Sequence, residues 1–205
     1  MEKRMRPKCR IQVPGEGPRH ARLMLIGEAP GREEVAQGRP FVGRAGRFLD
    51  KVLAEVKIAR KACYITNVVK FRPTRVVRIA RSGGRGERVR LRIAAPAGAV
   101  KIARSRGRGG RVKIQDRPPT DAEMAACAPL LKREILRVKP RLIVLLGATA
   151  LRALVGPEEK LARVHGHVLK REKLRFLPTY HPAAAMRNRK IRAKFVEDMR
   201  RAAKF

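Results

Sequence analysis

The sequence predicts an α/β protein: a three-layer α/β/α sandwich around a central four-stranded parallel sheet, with a pair of basic β-hairpins inserted into it. Three observations lead there. Short continuous apolar runs alternate with stretches of helical periodicity, the pattern of a parallel sheet covered by helices on both faces. The runs close on Gly, Pro or Asn, so polar loops open at the strand ends. The middle of the chain, about residues 74–116, abandons this pattern for a basic repeat of its own. A length of 205 residues fits one domain, 1–205, with that repeat lying within it.

Arg22-Leu23-Met24-Leu25-Ile26-Gly27 reads as the first central strand, buried on both faces. Phe48, Leu49, Val52, Leu53 and Val56 then recur at helical spacing, and Cys63 to Val69 is again β-rich, which completes a β-α-β unit. Thr120 is an N-cap, with Glu123 three residues on completing a capping box, so a helix starts there and runs to about Val138. Arg141 to Gly147 is the third strand, followed by a small helix from Ala148 to about Val155. Leu174 to Pro178 is the fourth, and Ile191, Phe195, Val196 and Met199 mark one face of a closing helix.

Within the insertion, residues 77–91 align with residues 100–114 at an offset of 23 positions. Each copy alternates basic and apolar residues, breaks at a Gly-rich stretch and resumes the alternation, which is the signature of a hairpin with one apolar and one cationic face. Two hairpins are expected, with Arg78, Arg81, Arg85, Arg104, Arg106 and Arg108 on the outward, nucleic-acid-binding side.

Composition narrows the function classes. The formal net charge is +34, from 51 Lys+Arg against 17 Asp+Glu, and a compact globule so charged calls for a polyanion. No apolar run approaches the roughly 20 residues of a membrane span, and the first residues lack the apolar stretch of a secretory signal. The expectation is a cytoplasmic, nucleoid-associated monomer without membrane contact. Three cysteines, Cys9, Cys63 and Cys127, form no CxxC pair and indicate neither a disulfide framework nor a closed zinc site.

Open sheets of this kind bind ligands beyond the carboxyl ends of their strands, and Glu28, Asn67 and His181 all fall at or just past such ends. Each belongs to a recognisable phrase: Gly27-Glu28-Ala29-Pro30-Gly31, Thr66-Asn67-Val68-Val69-Lys70, and Thr179-Tyr180-His181-Pro182-Ala183. A fourth phrase, Gly38-Arg39-Pro40-Phe41-Val42-Gly43, supplies an aromatic ring in a loop. His20, His165 and His167 have no such context and read as surface or strand-edge residues.

In this order the four phrases resemble the uracil-DNA glycosylase superfamily, most closely its family 4, over about residues 13–73 and 117–203. The resemblance implies a monofunctional enzyme of base-excision repair that flips uracil out of DNA and hydrolyses its N-glycosidic bond. It assigns catalytic roles to Glu28 and His181, base stacking to Phe41, edge recognition to Asn67 and a backbone contact to Ala29. Met186 and Arg187 match the loop that enters the duplex, where Met186 would be the wedge and Ala185 would fill the gap poorly. The family's four-iron cluster needs four cysteines. Here Phe71 stands in the place of one and only Cys127 clearly keeps its position, so no cofactor is expected. The insertion begins where the cluster would anchor the chain, and is expected to replace it as a buttress and to widen the DNA-binding face. Two other readings stay open: a non-catalytic nucleic-acid-binding paralogue, and a glycosylase for another deaminated base.

Overall fold

The computed structural model of the chain describes residues 9, 11–79 and 111–205. Backbone contacts divide it into two compact units, residues 1–72 with 118–205, and residues 73–117.

The larger unit is built on a sheet of order β2-β1-β5-β7-β6. Strands β1 (Leu23–Gly27), β2 (Cys63–Asn67), β5 (Leu142–Leu146) and β7 (Leu174–Thr179) are parallel and coincide with the four apolar runs. The expected count of four is one short. A fifth strand, β6 (Leu169–Arg171), pairs antiparallel with β7 at the edge. It is three residues long, is mostly exposed and has no apolar run, so periodicity does not reveal it.

Alternate side chains of the central strands feed two separate cores. Leu23, Leu25, Leu142, Val144 and Leu146 pack on one face with residues of α2 (Arg44–Glu55), α6 (Pro182–Arg187) and α7 (Arg189–Ala202). Met24, Ile26, Ile143 and Leu145 pack on the other with α3 (Asp121–Val138) and α4 (Ala148–Leu154). Continuous apolar runs are therefore required, because neither face of β1 or β5 meets water. The closing helix buries Phe195, Val196 and Met199 as its spacing predicts, and Thr120 caps α3 by the expected reciprocal box with Glu123. Two short helices, α1 (Arg32–Gln37) and α5 (Leu161–Val164), bury no residue fully and leave no periodic trace in the sequence. Among the described residues no helix is long and apolar enough to cross a membrane.

In the smaller unit β3 (Thr74–Ile79) and β4 (Arg111–Asp116) form an antiparallel ribbon. The sequence did not anticipate this ladder, and the expected partner arm within each copy lies outside the described residues. The described partner of the first arm of copy one is the last arm of copy two, so the ribbon closes the base of the whole insertion. Val76 faces Ile114 directly across it, and the Arg75 guanidinium donates to Gln115 Oε1 at 2.9 and 3.1 Å, giving that register both apolar and polar cross-strand pairs. Arg81, Arg85, Arg104, Arg106 and Arg108 lie outside the described residues, as do the inner hairpin arms.

Candidate active site

Strand order reverses between β1, which has β2 on its far side, and β5, which has β7. The carboxyl ends there form the crevice where open α/β sheets take ligands. Glu28 leaves β1, Asn67 ends β2, Gly147 follows β5 and His181 lies just beyond β7.

Gly27, paired with Asn67 across the β1–β2 ladder, marks the convergence point. A Cβ there would stand 2.5 Å from Asn67 Oδ1 and closer still to Phe41 Cζ, so only glycine lets the ring and the amide meet over the end of β1. The Phe41 and His181 rings lie 6.0 Å apart, centre to centre. The structure thus brings Phe41, Asn67 and His181 to one place.

Phe41 has φ +52°, a left-handed conformation unfavourable for an aromatic residue, and its loop is tied from both sides. Glu34 Oε1 accepts from the backbone N–H of Val42 and Gly43 at 3.1 and 2.8 Å, while its Oε2 accepts from Gly31 N–H at 3.1 Å. One carboxylate therefore links the Phe41 loop to the Gly27–Gly31 loop. Arg60 donates to the carbonyls of Pro40 and Phe41 at 2.8 and 3.3 Å and pairs with Asp50 at 2.7 Å. Gly46 admits the backbone of Phe41 where a Cβ would collide with its carbonyl.

Asn67 is 3% exposed, and its Oδ1 is a buried acceptor with no partner. Leaving such an atom unpaired costs about 1–3 kcal/mol, which a ligand N–H at that point would recover. Three residues on, Lys70 is buried with every bond satisfied: its Nζ donates to Thr66 Oγ1 at 2.5 Å, Glu134 Oε2 at 2.6 Å and the Asn67 carbonyl at 2.8 Å. Burial pushes the Lys70 pKa down and Glu134 opposes it. Held this way, the end of β2 has a fixed backbone from which the amide projects.

His181 caps α6: its Nδ1 accepts from Ala183 N–H at 3.1 Å. The neutral ring therefore carries its proton on Nε2 and presents it as a donor. Burial, with the Arg187 charge adding to it and Glu34 opposing, pushes the pKa down to about 4. The imidazole is neutral throughout the physiological range.

Glu28 is partly buried and its Oε2 accepts a hydrogen bond from Thr149 Oγ1. Ala29 is partly buried beside it. Met186 is 38% exposed at the end of α6, whereas Ala185 is buried in the core and takes no part in a wedge. Arg187 is exposed, its Nε held by the Ala183 carbonyl at 3.1 Å. His20 and His167 are exposed, as the sequence suggests. His165 is a correction to that group. Its Nδ1 lies 3.2 Å from Asp198 Oδ2, the same oxygen accepts from Thr179 Oγ1 at 2.8 Å, and the ring packs against Tyr180 at 4.9 Å between centres with a tilt of 50°. This network, buried at Thr179 and Asp198 and half-buried at His165, braces the end of β7 just before His181.

Sequence reasoning missed Glu34, Arg60, Gly147 and Thr149. The signal for the last two was present, since Gly147-Ala148-Thr149 opens at a strand end just as the other phrases do. A large groove of about 1110 Å³ runs along α3 beside Leu136, Lys139 and Phe176. It contains none of the residues above, its walls are mostly apolar with Lys132, Lys139, Glu172 and Lys173 at the edges, and among the described residues no orphaned acceptor faces it.

The cysteines do not fit an iron–sulfur cluster. Cys9 and Cys127 are joined as a disulfide across 118 positions, which overturns the expectation of no cross-link. Odd count and absent CxxC spacing hid it, because the two residues meet only through the fold. Phe71 is buried in the same core as Cys127, with Cys9 packed against it. Cys63 lies apart in β2, where its thiol donates to the Ala59 carbonyl and burial pushes its pKa up to about 11. Among the described residues no group of three or more His, Cys, Asp or Glu is placed to hold a metal.

The rim of this α/β sheet thus brings together an aromatic ring, an unpaired amide acceptor and an imidazole whose Nδ1 is engaged by the backbone. The family model of the uracil DNA glycosylase superfamily matches residues 14–204. The type-4 uracil-DNA glycosylase of Thermotoga maritima is 34% identical over 197 residues, covering 94% of this chain and 82% of the relative. Those of Pyrobaculum aerophilum and Saccharolobus solfataricus are 33% and 31% identical, covering 91% and 95% of this chain and 79% and 78% of the relatives. The chain belongs to the uracil-DNA glycosylase superfamily, and its similarity is to the type-4 branch.

Proposed function

We propose that the chain is a monofunctional uracil-DNA glycosylase of base-excision repair, acting in the cell as a monomer on DNA. The observation that carries this reading is the orphaned Asn67 Oδ1, set against the Phe41 ring. Uracil offers a ring face and an N3–H donor to such an acceptor. Cytosine places a lone pair there and would leave two acceptors facing each other.

The base leaves the duplex, stacks on Phe41 and is read by Asn67, with the backbone of Ala29 contacting its edge. As the C1′–N1 bond breaks, its electron pair departs with uracil, and His181 Nε2–H stabilises the negative charge on the carbonyl oxygen without giving up its proton. Glu28 stabilises the cationic sugar and orients water. The water oxygen bonds to C1′ and its proton passes to solvent, from which the departing uracil anion takes one, leaving an abasic site and neutral uracil. Met186 fills the vacated place in the stack and Arg187 contacts the backbone. The chain is one glycosylase-like domain, 1–205, whose 74–116 insertion holds phosphates through Arg78, Arg81, Arg85, Arg104, Arg106 and Arg108. Deleting residues 75–115 should flatten the slope of log affinity against log salt by roughly 0.7–0.9 for each phosphate no longer held. An unchanged slope would refute that role.

Incubating the protein with oligonucleotides carrying uracil, hypoxanthine or thymine mismatches, followed by alkali, tests the main reading. Strand scission only at uracil, lost in His181→Ala, supports it. Tight binding without scission would overturn it in favour of a non-catalytic DNA-binding protein.

A further inference from the structure

The loop after β5 supplies none of the groups that grip uracil, yet it borders two residues that act in the reaction. Gly147 N–H donates to the Thr179 carbonyl at 2.9 Å, and at φ +101° a Cβ on Gly147 would lie 3.1 Å from His181 Cβ. Two residues on, in the first turn of α4, Thr149 Oγ1 donates to Glu28 Oε2. The segment therefore spans the crevice between the carboxylate that follows β1 and the imidazole that follows β7.

Resting on the glycosylase reading, we propose that Thr149 is a positioning residue of the reaction, its hydroxyl fixing one oxygen of Glu28 so that the other is presented to the sugar and the incoming water. A hydroxyl donating to a carboxylate makes a strong, charge-assisted bond. Its post is stiff, because a β-branched side chain on a helix has few χ1 wells. Glu28 by contrast is a long, flexible side chain on a loop, its carbonyl accepting from Val69 N–H at 3.2 Å. Without Thr149 the carboxylate samples several rotamers, and only a fraction of encounters finds it aimed at the reaction. Uracil binding is untouched, since Phe41, Asn67 and His181 grip the base.

The test is single-turnover release of uracil from an oligonucleotide, with KM and inhibition by free uracil measured alongside. Thr149→Val keeps the shape and removes the donor. It should slow release about 30-fold while leaving KM and uracil inhibition within about twofold. Thr149→Ser restores the hydroxyl and should recover release to within about threefold of the native rate. In a Glu28→Gln background Thr149→Val should cost nothing further, because its effect acts through Glu28. Native speed in Thr149→Val, an equal additional loss in the Glu28→Gln background, or uracil inhibition weakening in step with the rate would each overturn the proposal. A native chain that releases no uracil would instead overturn the functional reading itself, before any variant is compared.

Discussion

Asn67 and Lys70, three residues apart at the end of β2, are both buried polar side chains, and they differ in one respect. Lys70 has a partner for each of its three donors, whereas Asn67 Oδ1 has none. A satisfied buried group has been recruited to hold the fold, while an unsatisfied one costs stability that only a ligand returns. The difference separates scaffold from site without reference to any relative, and substitutions should divide along the same line.

The largest effect on turnover is expected at the site. His181→Ala removes the donor aimed at the leaving base and should lower kcat about 10²- to 10³-fold, with a stability loss of only about 1 kcal/mol from the lost α6 cap, measured by uracil release and calorimetry on one sample. Lys70→Met belongs to the opposite class. It strands Glu134 without its cation and should destabilise the fold by about 3–5 kcal/mol in denaturant unfolding, while the folded fraction keeps most of its activity. A Lys70→Met variant as inactive as His181→Ala but equally stable would break the distinction.

The disulfide sharpens it further. Cys9–Cys127 closes a loop spanning 118 positions, and in the chain-entropy picture it stabilises by about 4–5 kcal/mol. Reductant should lower the melting temperature and leave the rate at about 25 °C unchanged, which a thermal scan and an assay with and without dithiothreitol would show. With Phe71, the cross-link packs into the core around Cys127, and a covalently stapled apolar core is a scaffold by the same criterion.

A smaller effect is expected from pH. With its pKa pushed down to about 4, His181 stays neutral as pH falls from 8 to 5, so activity should be flat there and fail near 4, where protonation of Nδ1 breaks the cap on α6. The sign for stability follows from linkage. Between the unfolded value of about 6.5 and the folded one, the unfolded chain binds more protons, so this group's contribution is present above 6.5 and is lost as pH falls toward 4. An activity profile that falls at pH 6 would place the charged imidazole in the native site.

Much of this frame was legible in the sequence, for physical reasons that also mark where legibility stopped. The runs at Leu23, Cys63, Leu142 and Leu174 announced strands because both faces of each central strand must be apolar, and Thr120 with Glu123 announced a helix start because capping is local chemistry. The edge strand Leu169–Arg171, half in water, carries no such pattern. Asn67 and His181 stood out as polar residues at strand ends, and Phe41 as a ring in a loop phrase of its own. Their supports did not, since Glu34 reaches the Phe41 loop only after α1 has folded back, and Thr149 meets Glu28 across 121 positions. The disulfide and the β3–β4 ribbon were hidden for the same reason, each joining segments far apart in the chain.

The contrast between the two side chains is tested most directly at Asn67 itself, by measuring uracil release and unfolding free energy for Asn67→Ala. The account predicts a fall in kcat/KM of about 10²-fold with stability equal to or above that of the native chain, because a buried acceptor without a partner has been removed. Unimpaired release, or a loss of several kcal/mol in stability, would contradict it.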